Sequence, residues 1–266
     1  MKLKTRKFLR IIPLLHNINL LRSKASRNRR MPEYYKFAEK QHFIHKYGSN
    51  ILRHLNIEVQ VEGFENIPNG PCLLTPNHST YLDPLIIMSS LWNHGDGSKT
   101  SKFGTFVARS EAKSKKTIYR ISELIDTFYI DLAKPKETMA VLKEFGQYVK
   151  RNQTCGIVFP EGTRTKDGKL NNFNAGVFLL AQSSYIPVVP VTINNAANAL
   201  DNNRDGKLVV NVKFHSVIKP QQFQTLDKKD FAKWVQEIVA KDYVDQIIRS
   251  NETIKNAYTK RKQKVN

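Results

Sequence analysis

The sequence predicts an α/β fold: a mixed, mostly parallel sheet covered by helices, with a basic helical extension at its N-terminus. Two observations predict the sheet. From about residue 57 onward, short apolar runs of strand character alternate with helical segments, the order that builds a layered sheet. Several of these runs end in polar turns, and in open α/β sheets the functional site lies just past the strand ends. A third observation predicts the extension: residues 1–56 lack strand-like alternation and are rich in lysine and arginine.

Taken in order, IEVQVEGF alternates, with Ile57, Val59 and Val61 facing one side. NIPNGP is a turn, and CLLTP a buried strand that delivers the chain into NHSTYLD. Asp83-Pro84 opens an apolar helix, PLIIMSSLW, because proline suits the start of a helix. NHGDGSK is a loop, KFGTFVAR a strand, SEAKSKKTIYRIS a polar helix and IDTFYI a third buried strand. Lys136 to Arg151 is the clearest helix. Val141, Leu142, Phe145, Tyr148 and Val149 form one stripe, and Lys150 and Arg151 suit the negative end of the helix dipole.

CGIVFP is the next strand and EGTRTKDGKL the loop after it. NAGVFLLAQSS is helical; IPVVPVTI and KLVVNVKFHSVI are strands. DKKDFAKWVQEIVAKDYVDQII is a closing amphipathic helix, and KNAYTKRKQKVN a basic, frayed tail. No repeat or long linker interrupts the series. The expected division is a helical membrane-associating segment over 1–56, an α/β domain over 57–250 and the basic tail over 251–266.

The chain of 266 residues has 43 Lys and Arg against 23 Asp and Glu, a net charge of +20. That excess favours anionic partners such as nucleic acid, acidic proteins, phosphorylated substrates or an anionic lipid surface. No helix-turn-helix, zinc-finger or RNP signature accompanies it, so nucleic acid is not an expected partner. Cys72 and Cys155 sit in apolar runs and read as buried, reduced thiols rather than a disulfide framework. In MKLKTRKFLRIIPLLHNINLL, Arg10, Pro13, His16, Asn17 and Asn19 interrupt the apolar run, and no small-residue cleavage site follows. Neither a cleaved signal nor a spanning helix is expected. What remains is a basic amphipathic segment with a bend at Pro13, of the kind that lies on an anionic membrane.

Two motifs carry chemistry. In NHSTYLD, His78 is suited to general-base work near neutral pH, and Asp83 is placed to orient its ring. The alternative is a loop histidine followed by a helix-capping aspartate. In FPEGTRT, Gly162 lets the backbone approach a ligand, Thr163 offers a hydroxyl, and Arg164 offers a planar fork for phosphate or carboxylate. Glu161 can hold Arg164 or bond a substrate hydroxyl. The alternative there is an exposed turn with a surface ion pair. Arg109 ends a third strand, so three polar clusters meet at strand ends.

His78-x4-Asp83 followed by FPEGTR and then IPVVPV, in that order, resembles the glycerolipid acyltransferase family, in particular its 1-acylglycerol-3-phosphate acyltransferases. The likeness spans about residues 57 to 215. It implies that His78 takes the proton of an acceptor hydroxyl while Asp83 orients it. The activated oxygen then attacks an acyl thioester directly. Glu161, Gly162, Thr163 and Arg164 hold the glycerol phosphate acceptor, and IPVVPV lines the donor side.

The implied donor is acyl-CoA or an acidic acyl carrier protein as co-substrate, with no other cofactor. The implied partners are a lysophospholipid and an anionic membrane, and the implied place is the cytoplasmic face of the cell membrane, peripheral or monotopic. No G-x-S-x-G nucleophile motif and no metal-ligand spacing compete with direct transfer.

Three positions depart from the family's pattern. Its second motif reads Gly-x-x-Phe-Ile-x-Arg, whereas here Asp126 replaces the glycine and Leu132 the arginine. Asn174 replaces the lysine that usually follows the third motif. Lys134 or Arg109 is the nearest substitute for the lost arginine, with Lys166 and Lys169 close to Asn174. The acceptor is therefore also open to glycerol-3-phosphate or another lysophospholipid.

Overall fold

The computed structural model describes residues 1–92 and 100–249; the NHGDGSK loop and the basic tail lie outside the described residues. Three helices lead: α1 (Leu3–Leu9), α2 (Ile11–Arg30) and α3 (Phe37–His54). They are followed by β1 (Ile57–Glu62), β2 (Cys72–Pro76), α4 (Asp83–Ser90), β3 (Gly104–Arg109), α5 (Lys116–Ser122), β4 (Phe128–Ile130) and α6 (Pro135–Arg151). Then come β5 (Cys155–Ile157), α7 (Ala175–Ser184), β6 (Val188–Asn194), β7 (Leu208–Phe214), α8 (Pro220–Phe223) and α9 (Lys228–Asp242).

The seven strands form one sheet in the order β1-β7-β6-β2-β5-β3-β4. Every neighbouring pair is parallel except β6 with β7. The mixed, mostly parallel sheet and the leading helices are those the sequence predicts.

Burial follows from strand alternation. Leu74, Phe106, Ile157 and Val189 enter one apolar core with residues of α2, α3 and α4. Their immediate neighbours Leu73, Val107, Val158 and Val188 enter a second core, with Leu142, Phe145, Val149, Phe178 and Phe231 of α6, α7 and α9. Successive side chains point to opposite faces, so the sheet is sandwiched between two helical layers. β2 sits at its centre and is buried at every position. Cys72 and Cys155 pair across β2 and β5 as free thiols, both buried, with sulfurs 3.6 Å apart.

Four details differ from the sequence reading. The N-terminal break falls at Arg10 and not at Pro13. Pro13 has no N–H to give, and its place in the first turn of α2 requires none. SEAKSKKTIYRIS divides into a 3-10 turn over Ser110–Ser114 and the short α5. β4 is half-buried because it is an edge strand, paired on one side only. The last helix stops at Asp242, and residues 243–249 run extended across the protein surface.

Candidate active site

β2, β5 and β3 lie side by side and point the same way, so the residues that follow them emerge at one edge of the sheet. Beyond β2 the chain turns through Asn77 to Leu82 before α4. Asn77 anchors this turn to β6: its side chain donates to the Ile193 carbonyl at 3.0 Å and accepts from the Ile193 N–H at 2.7 Å. Asp83, fully buried, gathers the rest. Its Oδ2 accepts from the Ser79 N–H at 2.6 Å and the Thr80 N–H at 2.8 Å, and lies 2.7 Å from His78 Nδ1.

That geometry settles the tautomer. A carboxylate oxygen only accepts, so Nδ1 donates, and in the neutral ring Nε2 then carries the lone pair. The helix-capping alternative has no support in the geometry, because α4 is entered through Leu82 and no side chain caps it. The His78 ring stacks on Phe159 at 4.2 Å and 25°, which fixes the plane in which Nε2 points.

The turn after β5 is joined to His78 through its backbone. Glu161 Oε1 accepts the His78 N–H at 2.6 Å, and the Thr165 N–H donates to the His78 carbonyl at 2.9 Å. Glu161 Oε2 accepts from the backbone and side chain of Asn171 at 3.0 and 2.7 Å. Burial pushes the Glu161 carboxyl above the usual range, and these donors pull it back in part. Glu161 thus holds the two turns together and does not pair with Arg164. Arg164 instead lies over the ring of Tyr81, its guanidinium carbon 3.5 Å from the centroid. Thr163 is exposed. Gly162 has a φ of +67°, and nothing lies within 4 Å of where a Cβ would sit.

The extended segment after α9 braces this turn. Gly168 O accepts from Tyr243 Oη at 2.7 Å and from the Gln246 N–H at 3.0 Å. Gln246 Oε1 accepts from the Ala197 N–H at 2.9 Å. A Cβ on Gly168 would fall 1.6 Å from the Gln246 carbonyl oxygen, and its φ is +83°, so only glycine fits under the strap.

Arg109 ends β3 at the same edge, but its guanidinium pairs with Glu111 at 2.5 Å. Leu132 is exposed. Asp126, in the family's glycine position, has a left-handed backbone with φ 50° and ψ 46°. Glycine enters that region freely, and aspartate is among the few side chains that tolerate it. Lys40 and the Tyr148 hydroxyl both bind the Asp126 carboxylate, at 2.8 and 2.7 Å. Asn174 is the N-cap of α7, accepting from the Gly176 N–H at 2.8 Å. Among the described residues no group of three or more His, Cys, Asp or Glu is placed to hold a metal.

Residues 58–194, more than half of the chain, match the family model described as Acyltransferase. The chain belongs to the acyltransferase family. This acyltransferase is 28% identical over 224 residues to a probable 1-acyl-sn-glycerol-3-phosphate acyltransferase of Mycoplasma pneumoniae, covering 80% of this chain and 81% of that one. It is 27% identical over 186 residues to the 1-acyl-sn-glycerol-3-phosphate acyltransferase of Saccharomyces cerevisiae, covering 69% and 58%. The crystal structure of the 1-acyl-sn-glycerophosphate acyltransferase PlsC from Thermotoga maritima has the same fold. Its TM-score is 0.61 over 87% of this chain and 95% of that one, at 22% identity.

Four residues of the acyltransferase's site escape sequence reasoning. Asn77, beside the histidine, has no recognisable signal for gripping β6. Asn171 and Tyr243 lie in segments without a motif. Tyr81 sits inside the first motif, yet nothing in the spacing says that it covers Arg164.

Proposed function

We propose that this acyltransferase moves a fatty acyl group from an acyl thioester to the sn-2 hydroxyl of 1-acylglycerol-3-phosphate, forming phosphatidic acid. The observation that carries the reading is the Asp83–His78 pair, in which the His78 N–H and carbonyl are hydrogen-bonded to the Glu161 carboxylate and the Thr165 N–H of the turn that carries Arg164. His78 Nε2 takes the hydroxyl proton as the oxygen forms its bond to the thioester carbonyl carbon. Asp83 stabilises the imidazolium. As the tetrahedral intermediate collapses, the carbon–sulfur bond breaks and the imidazolium returns its proton to the thiolate. No acyl-enzyme forms. The donor is acyl-CoA or acyl carrier protein, and Arg164 binds the acceptor's phosphate through its planar N–H groups.

Leu132 favours a second reading for the acceptor alone, because an exposed leucine stands where the family places a cation. Thioester consumption measured side by side with 1-acylglycerol-3-phosphate, glycerol-3-phosphate and a lysophospholipid with a larger headgroup separates the two. The expected result is fastest turnover with 1-acylglycerol-3-phosphate and phosphatidic acid as product. Preference for either other acceptor would replace the substrate while leaving the chemistry.

The same proposal seats the enzyme on the cytoplasmic, anionic face of the cell membrane through α1 and α2. Phe8 and Ile12 are 78% and 79% exposed, and Leu9 and Leu15 are also exposed, in a segment that carries Lys2, Lys4, Lys7 and Arg10. No described helix is long and apolar enough to cross a membrane. α1 is tied to the loop after β6 by the Leu3 N–H to Arg204 carbonyl bond at 2.8 Å. That loop lies at the same sheet edge as His78, so an acceptor's acyl chain stays in the bilayer while its headgroup reaches the base. Replacing Phe8 and Ile12 together by Asp should weaken sedimentation with anionic phospholipid vesicles at least about 10-fold, since each side chain loses apolar burial. Unchanged sedimentation would reject this surface.

A further inference from the structure

Between His78 and Asp83 lie four residues, and three of them are turned inward. Ser79, Thr80 and Leu82 are 7%, 1% and 9% exposed, whereas Tyr81 is 44% exposed. The backbone explains the contrast: the Ser79 and Thr80 N–H groups are drawn onto Asp83, which rolls the turn and leaves one side chain facing out. That side chain meets Arg164 of the other motif at 3.5 Å. At this separation a planar guanidinium lies face to face with the ring, because a tilted one would push a nitrogen into the ring carbons. Its N–H groups then point sideways, in a plane parallel to the ring. A Cβ on Gly162, two residues before Arg164, would meet nothing within 4 Å.

We propose that Tyr81 is a positioning residue for the acceptor: its ring is the platform that holds the Arg164 guanidinium flat beside His78, and it thereby sets the preference for acceptors that carry a phosphate. The inference rests on the reading that Arg164 binds that phosphate. Removing the ring takes away a contact that helps to order the arginine's several rotatable bonds before an acceptor arrives, and ordering them then adds to the entropic cost of binding. A stacked arginine is already in place, and the partly desolvated ring face adds a cation–π attraction. Tyr81 touches neither the transferred acyl group nor the proton.

Kinetics with acceptor and thioester varied separately test this in Tyr81→Ala, Tyr81→Phe, Arg164→Ala and the double variant Tyr81→Ala/Arg164→Ala, each checked for an unchanged melting temperature. Tyr81→Ala should raise the KM for 1-acylglycerol-3-phosphate about 3- to 30-fold, the range of a partly desolvated cation–π contact. kcat and the thioester KM should stay in place. Tyr81→Phe should behave as the wild type, since the ring and not the hydroxyl does the stacking. The preference for 1-acylglycerol-3-phosphate over uncharged monoacylglycerol should fall in Tyr81→Ala, and Tyr81→Ala should add little once Arg164 is gone.

If Arg164→Ala raises the acceptor KM and Tyr81→Ala does not, the platform is refuted and the acceptor assignment survives. If the two effects add in the double variant, the residues act independently and the platform is again refuted. If Arg164→Ala leaves the acceptor KM unchanged, the phosphate assignment falls and the platform with it.

Discussion

His78→Ala should lower kcat by about 10² to 10⁴-fold, the contribution of a positioned general base, while the protein stays folded. That factor corresponds to about 3–5 kcal/mol of transition-state stabilisation. Folding should survive because the bonds that tie this turn to its neighbours use the backbone of residue 78: its N–H reaches Glu161 and its carbonyl receives the Thr165 N–H. Alanine keeps both. What is lost is the imidazole, its bond to Asp83 and its stacking on Phe159. Acceptor KM should change little, since the proton is taken on the way to the transition state and phosphate binding is assigned to Arg164. Steady-state acyl transfer with circular dichroism on the same preparation makes the measurement. A folded variant with wild-type turnover would remove His78 from the mechanism.

How far such a site is legible from sequence depends on which atoms do the work. His78 and Asp83 can be found because their side chains have specific chemistry at a specific spacing. The sheet can be found because burial on both faces demands near-continuous apolar runs such as CLLT and IPVVPV. Half of the join between the two motifs, the Thr165 N–H on the His78 carbonyl, is main chain to main chain, so no residue type announces it; the other half is the Glu161 carboxylate on the His78 N–H, a pairing that the spacing of the motifs does not contain. The brace on Gly168 is harder still. It is made by Tyr243 and Gln246, in a stretch whose composition continues the pattern of α9. The helix ends at Asp242 because the following residues find partners elsewhere: Asn194 bonds the Asp242 carbonyl and the Val244 N–H, and Asn198 the Ile247 carbonyl. Those are long-range contacts that local periodicity does not contain.

Asp126 shows the reverse case. A departure from the family motif looks like a lost function in sequence, but in the structure it is a left-handed turn residue with an ion pair to Lys40. Its glycine-like backbone survives the substitution. Leu132 has no such account: it is exposed and makes no substitute for a cation. Arg109, on the neighbouring strand in register with Ile130, is held by Glu111. In the proposed reading the phosphate then falls to Arg164 and to whatever keeps it in place.

Asp83→Asn is the sharper test of how the base is made. Asparagine matches aspartate in shape and keeps an oxygen that can accept from the Ser79 and Thr80 N–H groups. Those two bonds, at 2.6 and 2.8 Å, hold the turn. Asp83→Ala would instead strand two buried donors at about 1–3 kcal/mol each and confuse catalysis with folding.

In Asp83→Asn the imidazolium formed during transfer faces a neutral amide and not a carboxylate. One oxygen accepts from Nδ1 and from both backbone N–H groups, so the amide oxygen must take that place, since the amide nitrogen there would face two backbone donors. The loss of the charge should lower kcat by about 10² to 10⁴-fold, with the melting temperature close to the wild type. A purely helix-capping aspartate predicts the opposite pattern, because asparagine caps a helix as well as aspartate does and both turnover and stability would be preserved. Wild-type kcat in folded Asp83→Asn would mean that the short contact to His78 Nδ1 orients the ring without tuning it. Loss of both kcat and melting temperature would mean that the charge at Asp83 holds the turn itself.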